Sequence, residues 1–238
     1  MSKYKITRYK PEGPSNVYSY FVSSNPPTSF NPNSIYPSID KTAFIGPFSS
    51  IIGDVRICTE VFIGGNATLR ADEGTPFYIG SKTNIQDGVI LHGLKNMKVT
   101  VNKKEYSIYI GNEVSIAHGA LVHGPCVIGN YTFVGFNAIV FNSIVEDGCY
   151  IDLAAIVTDG VRIPANRYVP AGAIINTQEK ANALEMVSQS NEDFAKGVIN
   201  SNVELSQAYS LKFGDTRCSC GICCNRDSFI GLQMPVFR

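Results

Sequence analysis

The sequence predicts an all-β solenoid, namely a left-handed parallel β-helix of hexapeptide repeats. Aliphatic residues recur every six positions from Ile45 to Ile175, a period that an α-helix cannot keep on one face. Glycine often follows the aliphatic residue, as at Gly46 and Gly64, where it suits a tight corner between short strands. Since three such strands make one triangular coil, the repeats predict about seven stacked coils with the aliphatic residues inside.

The repeat divides the chain into four segments. The first is rich in Pro, Ser and Asn and is expected to form an irregular N-terminal arm over the first coil. The second is the β-helix, the third contains C-terminal helices that pack on it, and the fourth is a cysteine-rich tail. The segments are residues 1–40, 41–176, 177–212 and 213–238.

Within the β-helix, the repeat is interrupted by loops at residues 70–78 and 92–109, and insertions in solenoids often lie on the binding face. After Ile175 the period changes, and a short helix is predicted from Thr177. A second helix is predicted to start near Ser190, with Asp193 completing a variant of the capping box. Its apolar stripe, expected to pack on the coils, is formed by Phe194, Val198 and Leu205.

Composition excludes several classes of partner. The formal net charge is zero and the 20 Lys and Arg residues are spread along the chain, so neither a nucleic-acid-binding nor an anionic-membrane surface is indicated. No apolar segment of the length of a signal core or membrane span is present. The odd count of seven cysteines favours a reducing compartment. We therefore expect a full-length cytoplasmic protein.

Two of the three histidines have the same phase in the repeat. Arg70, His92 and His123 each follow an aliphatic residue of the same face by one position, so they should stack on successive coils. The spacing of neighbouring strands, about 4.8 Å, suits two imidazoles converging on one metal ion. The repeat thus predicts that His92 and His123 form a metal-binding pair.

The third histidine, His118, belongs to a different face, two positions after Ile116, and should stand directly above Asp87. Outward-pointing side chains on two faces diverge, so His118 more easily serves a metal held by the histidine pair of a neighbouring subunit. A homotrimer with three equivalent interfacial sites follows from this geometry.

Three neutral histidine nitrogens leave a fourth metal position for water, as catalytic zinc requires. The metal lowers the pKa of that water toward about 7 and creates a hydroxide that suits attack on a small electrophile such as CO2. Zn²⁺ is the expected ion, with Fe²⁺ or Co²⁺ as alternatives, because a three-histidine site discriminates weakly between them.

Several stretches of the repeat resemble the γ-class carbonic anhydrases, both the archaeal type and the related domain of cyanobacterial carboxysome assembly proteins. The resemblance covers residues 38–210. The stretches that carry it are Arg70-Ala-Asp72-Glu73-Gly-Thr-Pro, Asn84-Ile-Gln86-Asp87-Gly-Val-Ile-Leu-His92, Tyr109-Ile-Gly-Asn-Glu-Val-Ser-Ile-Ala-His118, Val122-His123-Gly-Pro125 and Arg167-Tyr-Val-Pro-Ala-Gly172.

The resemblance implies a role for each matching residue. His92, His118 and His123 match the metal ligands, with His118 reaching across the subunit interface. Glu73 matches the glutamate that moves a proton from the metal-bound water. The remaining matches are Gln86 and Asn84, which position water or bicarbonate; Arg70 and Asp87, an inter-subunit ion pair with Asp72 nearby; and Asn202, a helix asparagine that reaches toward the substrate.

The sequence departs from the archaeal pattern in two places. The acidic proton-shuttle loop is replaced by Gly93-Leu-Lys-Asn-Met-Lys98, with no carboxylate before Glu105, and a helix tyrosine is replaced by Asn200. In both respects the chain resembles the carboxysome-associated branch, but it lacks the Rubisco-small-subunit-like repeats of those proteins. A catalytically weak or inactive scaffold protein is therefore one alternative function, and a hexapeptide-repeat acyltransferase is another.

The tail carries the sequence Cys218-Ser-Cys220-Gly-Ile-Cys223-Cys224. These thiols could form a second metal site or a redox switch that clamps the C-terminal helix. Alternatively they are reactive thiols with no site, since the spacing lacks the paired C-x-x-C knuckles of a zinc ribbon.

Overall fold

Short strands separated by tight corners run through residues 21–175 of the computed structural model, which describes residues 21–213. In chain order the strands are β1 (Phe21–Ser23), β2 (Ser38–Ile39), β3 (Phe44–Ile45), β4 (Ser50–Gly53), β5 (Val55–Ile57), β6 (Phe62–Ile63), β7 (Thr68–Ala71), β8 (Phe77–Ile79), β9 (Asn84–Ile85), β10 (Ile90–Gly93), β11 (Val99–Val101), β12 (Lys104–Tyr106), β13 (Ile108–Ile110), β14 (Ser115–Ile116), β15 (Leu121–Gly124), β16 (Cys126–Ile128), β17 (Phe133–Val134), β18 (Ile139–Phe141), β19 (Ile144–Val145), β20 (Tyr150–Ile151), β21 (Ile156–Val157), β22 (Arg162–Ile163), β23 (Tyr168–Val169) and β24 (Ile174–Ile175).

Apart from the β11–β12 hairpin, every third strand stacks into one of three parallel sheets, so the coils form a three-sided prism. Sheet A has eight strands in the order β1-β4-β7-β10-β15-β18-β21-β24. Sheet B has seven in the order β2-β5-β8-β13-β16-β19-β22, and sheet C has seven in the order β23-β20-β17-β14-β9-β6-β3. The predicted left-handed parallel β-helix is confirmed, with one more strand in sheet A than the predicted seven coils.

The repeat residues fill the interior of the prism in vertical ladders. On sheet A, Leu91 is in register with Leu69 below and Val122 above, and all three side chains are fully buried. Burying an aliphatic side chain of this size stabilises the fold by about 1.5–3 kcal/mol. The same ladders fix the register of the outward-facing residues, because successive side chains of a strand point to opposite faces.

The corner before β10 shows how glycine admits a close approach of neighbouring coils. A Cβ atom on Gly64 would lie 2.5 Å from the backbone nitrogen of Asp87 on the next coil, so no larger residue fits there. The backbone N–H of Gly65 donates to Asp87 Oδ1 at 2.8 Å. These contacts orient the Asp87 side chain at this corner.

The N-terminal arm differs from the expectation of an irregular segment. Strand β1 pairs with β4 so that Val22 continues the ladder of Ile51, and β2 pairs with β5 so that Ile39 continues the ladder of Ile57. Part of residues 21–40 therefore extends the β-helix, because these aliphatic side chains cover its open end. Residues 1–20 of the expected arm lie outside the described residues.

The two interruptions of the repeat are shorter than expected. Strand β7 continues through Ala71, and β10 continues through Gly93. The second interruption also contains the antiparallel pair β11–β12, in which Val99 pairs with Tyr106. The second interruption is thus a largely exposed antiparallel hairpin.

Two helices follow the solenoid, α1 (Gln178–Asn182) and α2 (Gln189–Phe213). The Thr177 side chain caps α1 by accepting from Lys180 N–H. Helix α2 begins one residue before the predicted start near Ser190, and Ser188 Oγ caps it by accepting from the N–H of Asn191 at 3.3 Å. Asp193 Oδ1 accepts instead from the Gln189 amide at 3.1 Å.

The face of α2 that packs on sheet C agrees in part with the predicted stripe, since Val198 packs against the cluster that contains Phe133 and the Phe194 ring lies 5.6 Å from the Phe133 ring. Ala195, Ile199 and Ser206 are buried, whereas Phe194 and Leu205 are 49% and 42% exposed. Small side chains let the helix lie close to the strands, and the larger apolar residues then fall on its flanks. No helix within residues 21–213 is long and apolar enough to cross a membrane.

Three of the seven cysteines lie in the described residues, and all three are free thiols. Cys126 and Cys149 are buried, whereas Cys58 is partly exposed. Burial raises the pKa of the Cys126 thiol to about 12. The tail cysteines Cys218, Cys220, Cys223 and Cys224 lie outside the described residues.

Candidate metal centre

His92 and His123 project from the outer face of sheet A on adjacent strands. Strands β10 and β15 pair in register, so His92 lies directly against His123 as the repeat predicted. His92 Nδ1 is 3.1 Å from His123 Nε2. The ring centroids are 5.1 Å apart with the planes 74° from parallel, so the two imidazoles converge edge to face.

Hydrogen bonds indicate which nitrogen of each neutral ring carries the lone pair. His123 Nδ1 donates to the carbonyl of Gly124 at 3.1 Å, so the lone pair of the neutral ring lies on Nε2. The Arg70 guanidinium donates to His92 Nε2 at 3.1 Å. Burial lowers the pKa of His92 below its ordinary value, and the charges of Arg70 and His123 lower it further. A neutral His92 is the form that binds metal ions.

Two carboxylates stand beside His92 at the end of strand β7. Asp72 Oδ1 is 3.5 Å from His92 Nε2 and 3.4 Å from Arg70 Nε. Glu73 Oε2 is 3.8 Å from His92 Nε2, and Glu73 Oε1 accepts from the backbone N–H of Lys95 at 3.3 Å. The expected grouping of Arg70, Asp72 and Glu73 around the histidine pair is present in one chain.

His118 lies at a different edge of the prism, at the corner between β14 and β15. Its Nδ1 is 3.0 Å from Asp87 Oδ2, the residue predicted to stand below it, and both side chains are exposed. The His118 ring stacks on Phe136 at a centroid distance of 5.5 Å. Within one chain, His118 thus pairs with Asp87 and does not join His92 and His123.

The donor set fits a metal only when a further ligand is added. Within residues 21–213 of a single chain, no group of three His, Cys, Asp or Glu side chains is placed to hold a metal ion. Two convergent neutral imidazoles supply two nitrogen ligands, and buried Asp72 Oδ1 has no hydrogen-bond partner within the described part of the chain. Imidazole nitrogens are ligands that divalent transition metals accept, but this pair needs at least one further ligand that the described part of one chain does not supply.

Asn84 and Gln86 form a buried polar chain on the coil that carries His92. Gln86 Nε2 donates to Asn84 Oδ1 at 3.0 Å, and Asn84 Nδ2 donates to Ser115 Oγ at 2.8 Å. Gln86 Oε1 is buried and makes no hydrogen bond with the residues that the structure describes. Since an unpaired buried acceptor is costly, this oxygen is available to a water molecule or small ligand.

Asn202 and Asp87 make their contacts away from the histidine pair in a single chain. Asn202, on α2, donates to the backbone carbonyl of Val198 at 2.9 Å. Arg70 lies beside Asp72, whereas Asp87 lies beside His118. An ion pair between Arg70 and Asp87 of different subunits stays a prediction.

Sequence reasoning missed two contributors to the site. The backbone N–H of Lys95 holds Glu73, and no sequence signal marks a main-chain donor. Asn31 donates to the backbone carbonyl of Asp72 at 3.4 Å from a segment interpreted as an irregular arm. Only the density of Asn and Pro around Asn31 hinted at an ordered turn.

The known proteins that are similar to this chain include a carbonic anhydrase and a carboxysome assembly protein. A carbonic anhydrase of Methanosarcina thermophila is 40% identical over 205 residues, which cover 79% of this chain and 81% of that protein. The carboxysome assembly protein CcmM of Nostoc is 44% identical over 194 residues, which cover 81% of this chain but 35% of CcmM. The chain therefore spans about a third of that relative. No model of a known protein family matches the chain.

Two further comparisons agree with the class and the fold. The mitochondrial gamma carbonic anhydrase 1 of Arabidopsis thaliana is 34% identical over 138 residues, which cover 58% of this chain and 46% of that protein. The crystal structure of a hexapeptide transferase family protein from Anaplasma phagocytophilum superposes with a TM-score of 0.60 at 26% identity, covering 74% of this chain and 93% of that one.

Proposed function

This chain belongs to the γ-class carbonic anhydrase family, and on that premise we propose that it catalyses the reversible hydration of CO2 to bicarbonate. The observation that carries the proposal is the convergence of His92 and His123, 3.1 Å apart, with Glu73 facing His92. A metal site with a carboxylate beside it is the arrangement that hydration of a small electrophile requires.

The metal would be held by His92 and His123 of one subunit and His118 of a neighbouring subunit. We propose Zn²⁺, with Fe²⁺ or Co²⁺ as ions that the same nitrogen ligands accept. When bound, the ion supplies the Lewis acidity that lets water ionise near neutral pH. The Gly124 carbonyl orients the His123 ring, and the Arg70 guanidinium favours neutral His92.

Glu73 is the proposed proton acceptor. Its Oε1 is held by the Lys95 N–H, while Oε2 faces His92, and the side chain is 35% exposed. A carboxylate that touches both the site and the solvent can take a proton inside and release it to buffer. The unpaired Gln86 Oε1 is proposed to accept a hydrogen bond from the reacting water or from bicarbonate, next to Asn84.

A homotrimer is proposed because the site is incomplete in one chain and apolar side chains are exposed near the residues that would complete it. Ile90 and Ile174 are exposed on sheet A, and Phe136 and Leu153 are exposed at the corner of His118. A neighbouring copy that covered these residues would bury apolar area and bring its own His118 to the pair.

Metal analysis followed by stopped-flow CO2 hydration tests the proposal. The purified protein is expected to contain about one divalent metal ion per chain and to accelerate hydration, most clearly with imidazole as added proton acceptor. A metal-replete protein with no activity, with or without reductant, would contradict it.

The second candidate function is a catalytically weak or inactive scaffold protein. It is favoured by the 44% identity to CcmM and by the lysines that replace an acidic shuttle loop after His92. Full metal occupancy with no turnover, even in imidazole, would support the scaffold role. Scaffold partners are then to be sought by co-purification under metal-replete conditions.

An acyltransferase role is the less favoured alternative. It is suggested by the fold shared with the hexapeptide transferase family protein, but the metal site proposed above already uses all three histidines of the chain. Acetyl-CoA turnover without metal would favour it. A cytoplasmic location stays a prediction, supported by the free thiols of Cys58, Cys126 and Cys149.

A further inference from the structure

A loop of the N-terminal segment, residues 25–35, contacts Asp72, which precedes Glu73, and Lys95, whose backbone N–H donates to the Glu73 carboxylate. We propose that this buttress loop positions the Glu73 carboxylate for proton transfer, with Asn31 and Phe30 as the positioning residues. The inference rests on the proposed function, because it assigns these residues to the proton-transfer step of that reaction.

The buttress loop is ordered by the buried Asn25. The Asn25 side chain accepts from the Ile35 N–H at 2.9 Å and donates to the Asn33 carbonyl at 2.8 Å. Ser34 Oγ donates to the Asn25 carbonyl at 2.9 Å. Three hydrogen bonds between the two ends of a short loop fix its shape, so its tip is presented as a rigid element.

The first contact of the tip joins Asn31 to the residue before Glu73. Asn31 is held by two hydrogen bonds with Thr28, each 3.0 Å long, and is 6% exposed. Its Nδ2 donates to the Asp72 carbonyl at 3.4 Å. On the other side of Glu73, the Gly74 N–H donates to the Gly93 carbonyl at 3.0 Å. Hydrogen bonds at Asp72 and Gly74 therefore restrain the main chain on both sides of Glu73.

The second contact acts on the donor that holds the Glu73 carboxylate. The ammonium group of Lys95 lies 5.7 Å from the centroid of the Phe30 ring, within cation–π range. The backbone N–H of the same Lys95 donates to Glu73 Oε1 at 3.3 Å. Phe30 thus restrains the segment that supplies this hydrogen bond.

Loss of either contact should leave the metal ligands in place but let the Glu73 carboxylate sample orientations away from His92. Neither Asn31 nor Phe30 contacts His92 or His123, whose rings are held by Arg70 and the Gly124 carbonyl. A small misplacement of an acid–base group slows proton transfer much more than it weakens substrate binding.

The test compares metal-loaded variants of the whole chain in stopped-flow CO2 hydration. Asn31→Ala and Phe30→Leu are expected to lower kcat by roughly three- to tenfold while kcat/KM stays within about twofold of the parent. Imidazole should restore kcat, because it replaces the misplaced carboxylate as proton acceptor. Phe30→Tyr, which keeps the ring, and Tyr36→Leu, an exposed aromatic outside the buttress loop, should match the parent.

Two results would overturn the positioning role. In the first, kcat of Asn31→Ala and Phe30→Leu equals that of the parent. In the second, kcat and kcat/KM fall together without rescue by imidazole, as a general loss of structure would produce.

A measurement that does not depend on catalytic activity tests this inference separately from the proposed function. Amide hydrogen exchange at Gly74 and Lys95 should be several-fold faster in Asn31→Ala and Phe30→Leu than in the parent and in Tyr36→Leu. If the parent hydrates no CO2, the proposed function fails, and unchanged exchange at these two amides would independently refute the contacts assigned to the buttress loop.

Discussion

Replacing Glu73 by glutamine isolates the proton-acceptor role, since Glu73→Gln keeps the length of the side chain and an oxygen for the Lys95 N–H. Removing a positioned acid–base group slows a reaction by about 100- to 10,000-fold. Because the Glu73 side chain is 35% exposed, solvent and buffer can partly replace it. We therefore expect the lower end of the range, a loss of about 100-fold in kcat.

The same substitution should hardly change the stability. The Glu73 carboxylate lies 3.8 Å from His92 Nε2, and a partly exposed pair of this kind contributes at most about 1 kcal/mol. The assay is stopped-flow CO2 hydration with a pH indicator, at increasing imidazole. Glu105→Gln is the matched control, because that carboxylate is exposed on the hairpin and pairs with Lys98 at 3.7 Å. A kcat of Glu73→Gln within about twofold of the parent would refute the reasoning.

Two further predictions concern the stability of the β-helix. Burial raises the pKa of Cys126 from 9.0 to about 12 and that of Cys149 to about 11. The contribution of these two buried thiols to the free energy of unfolding is therefore complete below about pH 9 and is lost as the pH rises above it. Denaturant unfolding from about pH 8 to about pH 11 should show this loss as a fall in the free energy of unfolding with pH. If Cys126→Ala leaves the slope of that free energy against pH unchanged, the fall does not come from Cys126. Leu91→Ala removes a fully buried side chain next to His92 and should lower the free energy of unfolding by about 2–5 kcal/mol. A loss no larger than that of the exposed control Met97→Ala would contradict the predicted packing.

Much of the fold followed from the sequence, because a period of six fixes both the fold class and the register. The alignment of His92 with His123, and of Arg70 with His92, needed only the phase of the preceding aliphatic residues. Strand β1 was missed because the loop after Ser23 puts Val22 out of the six-residue phase of the later repeats. Ile39 could have been found, since it stands six residues before Ile45.

The details of the site depended on contacts that have no periodicity. The partners of Glu73 are a main-chain donor and a loop from the N-terminal segment, and neither follows from residue types. The packing face of α2 was predicted only in part. Val198 and Phe194 do contact the sheet C cluster, but the buried positions include Ala195 and Ser206, small residues that hydrophobicity alone does not select.

Subunit mixing tests most directly the central claim that the metal centre is shared between subunits. His118→Ala and His123→Ala are each expected to form trimers without a complete site and therefore without bound metal. When equal amounts are unfolded, mixed and refolded together, about a quarter of the interfaces should combine an intact histidine pair with an intact His118. The account predicts that metal content and CO2 hydration return to about that fraction of the parent values. Mixed trimers that bind no metal, or a His118→Ala protein that keeps its full metal content alone, would contradict it.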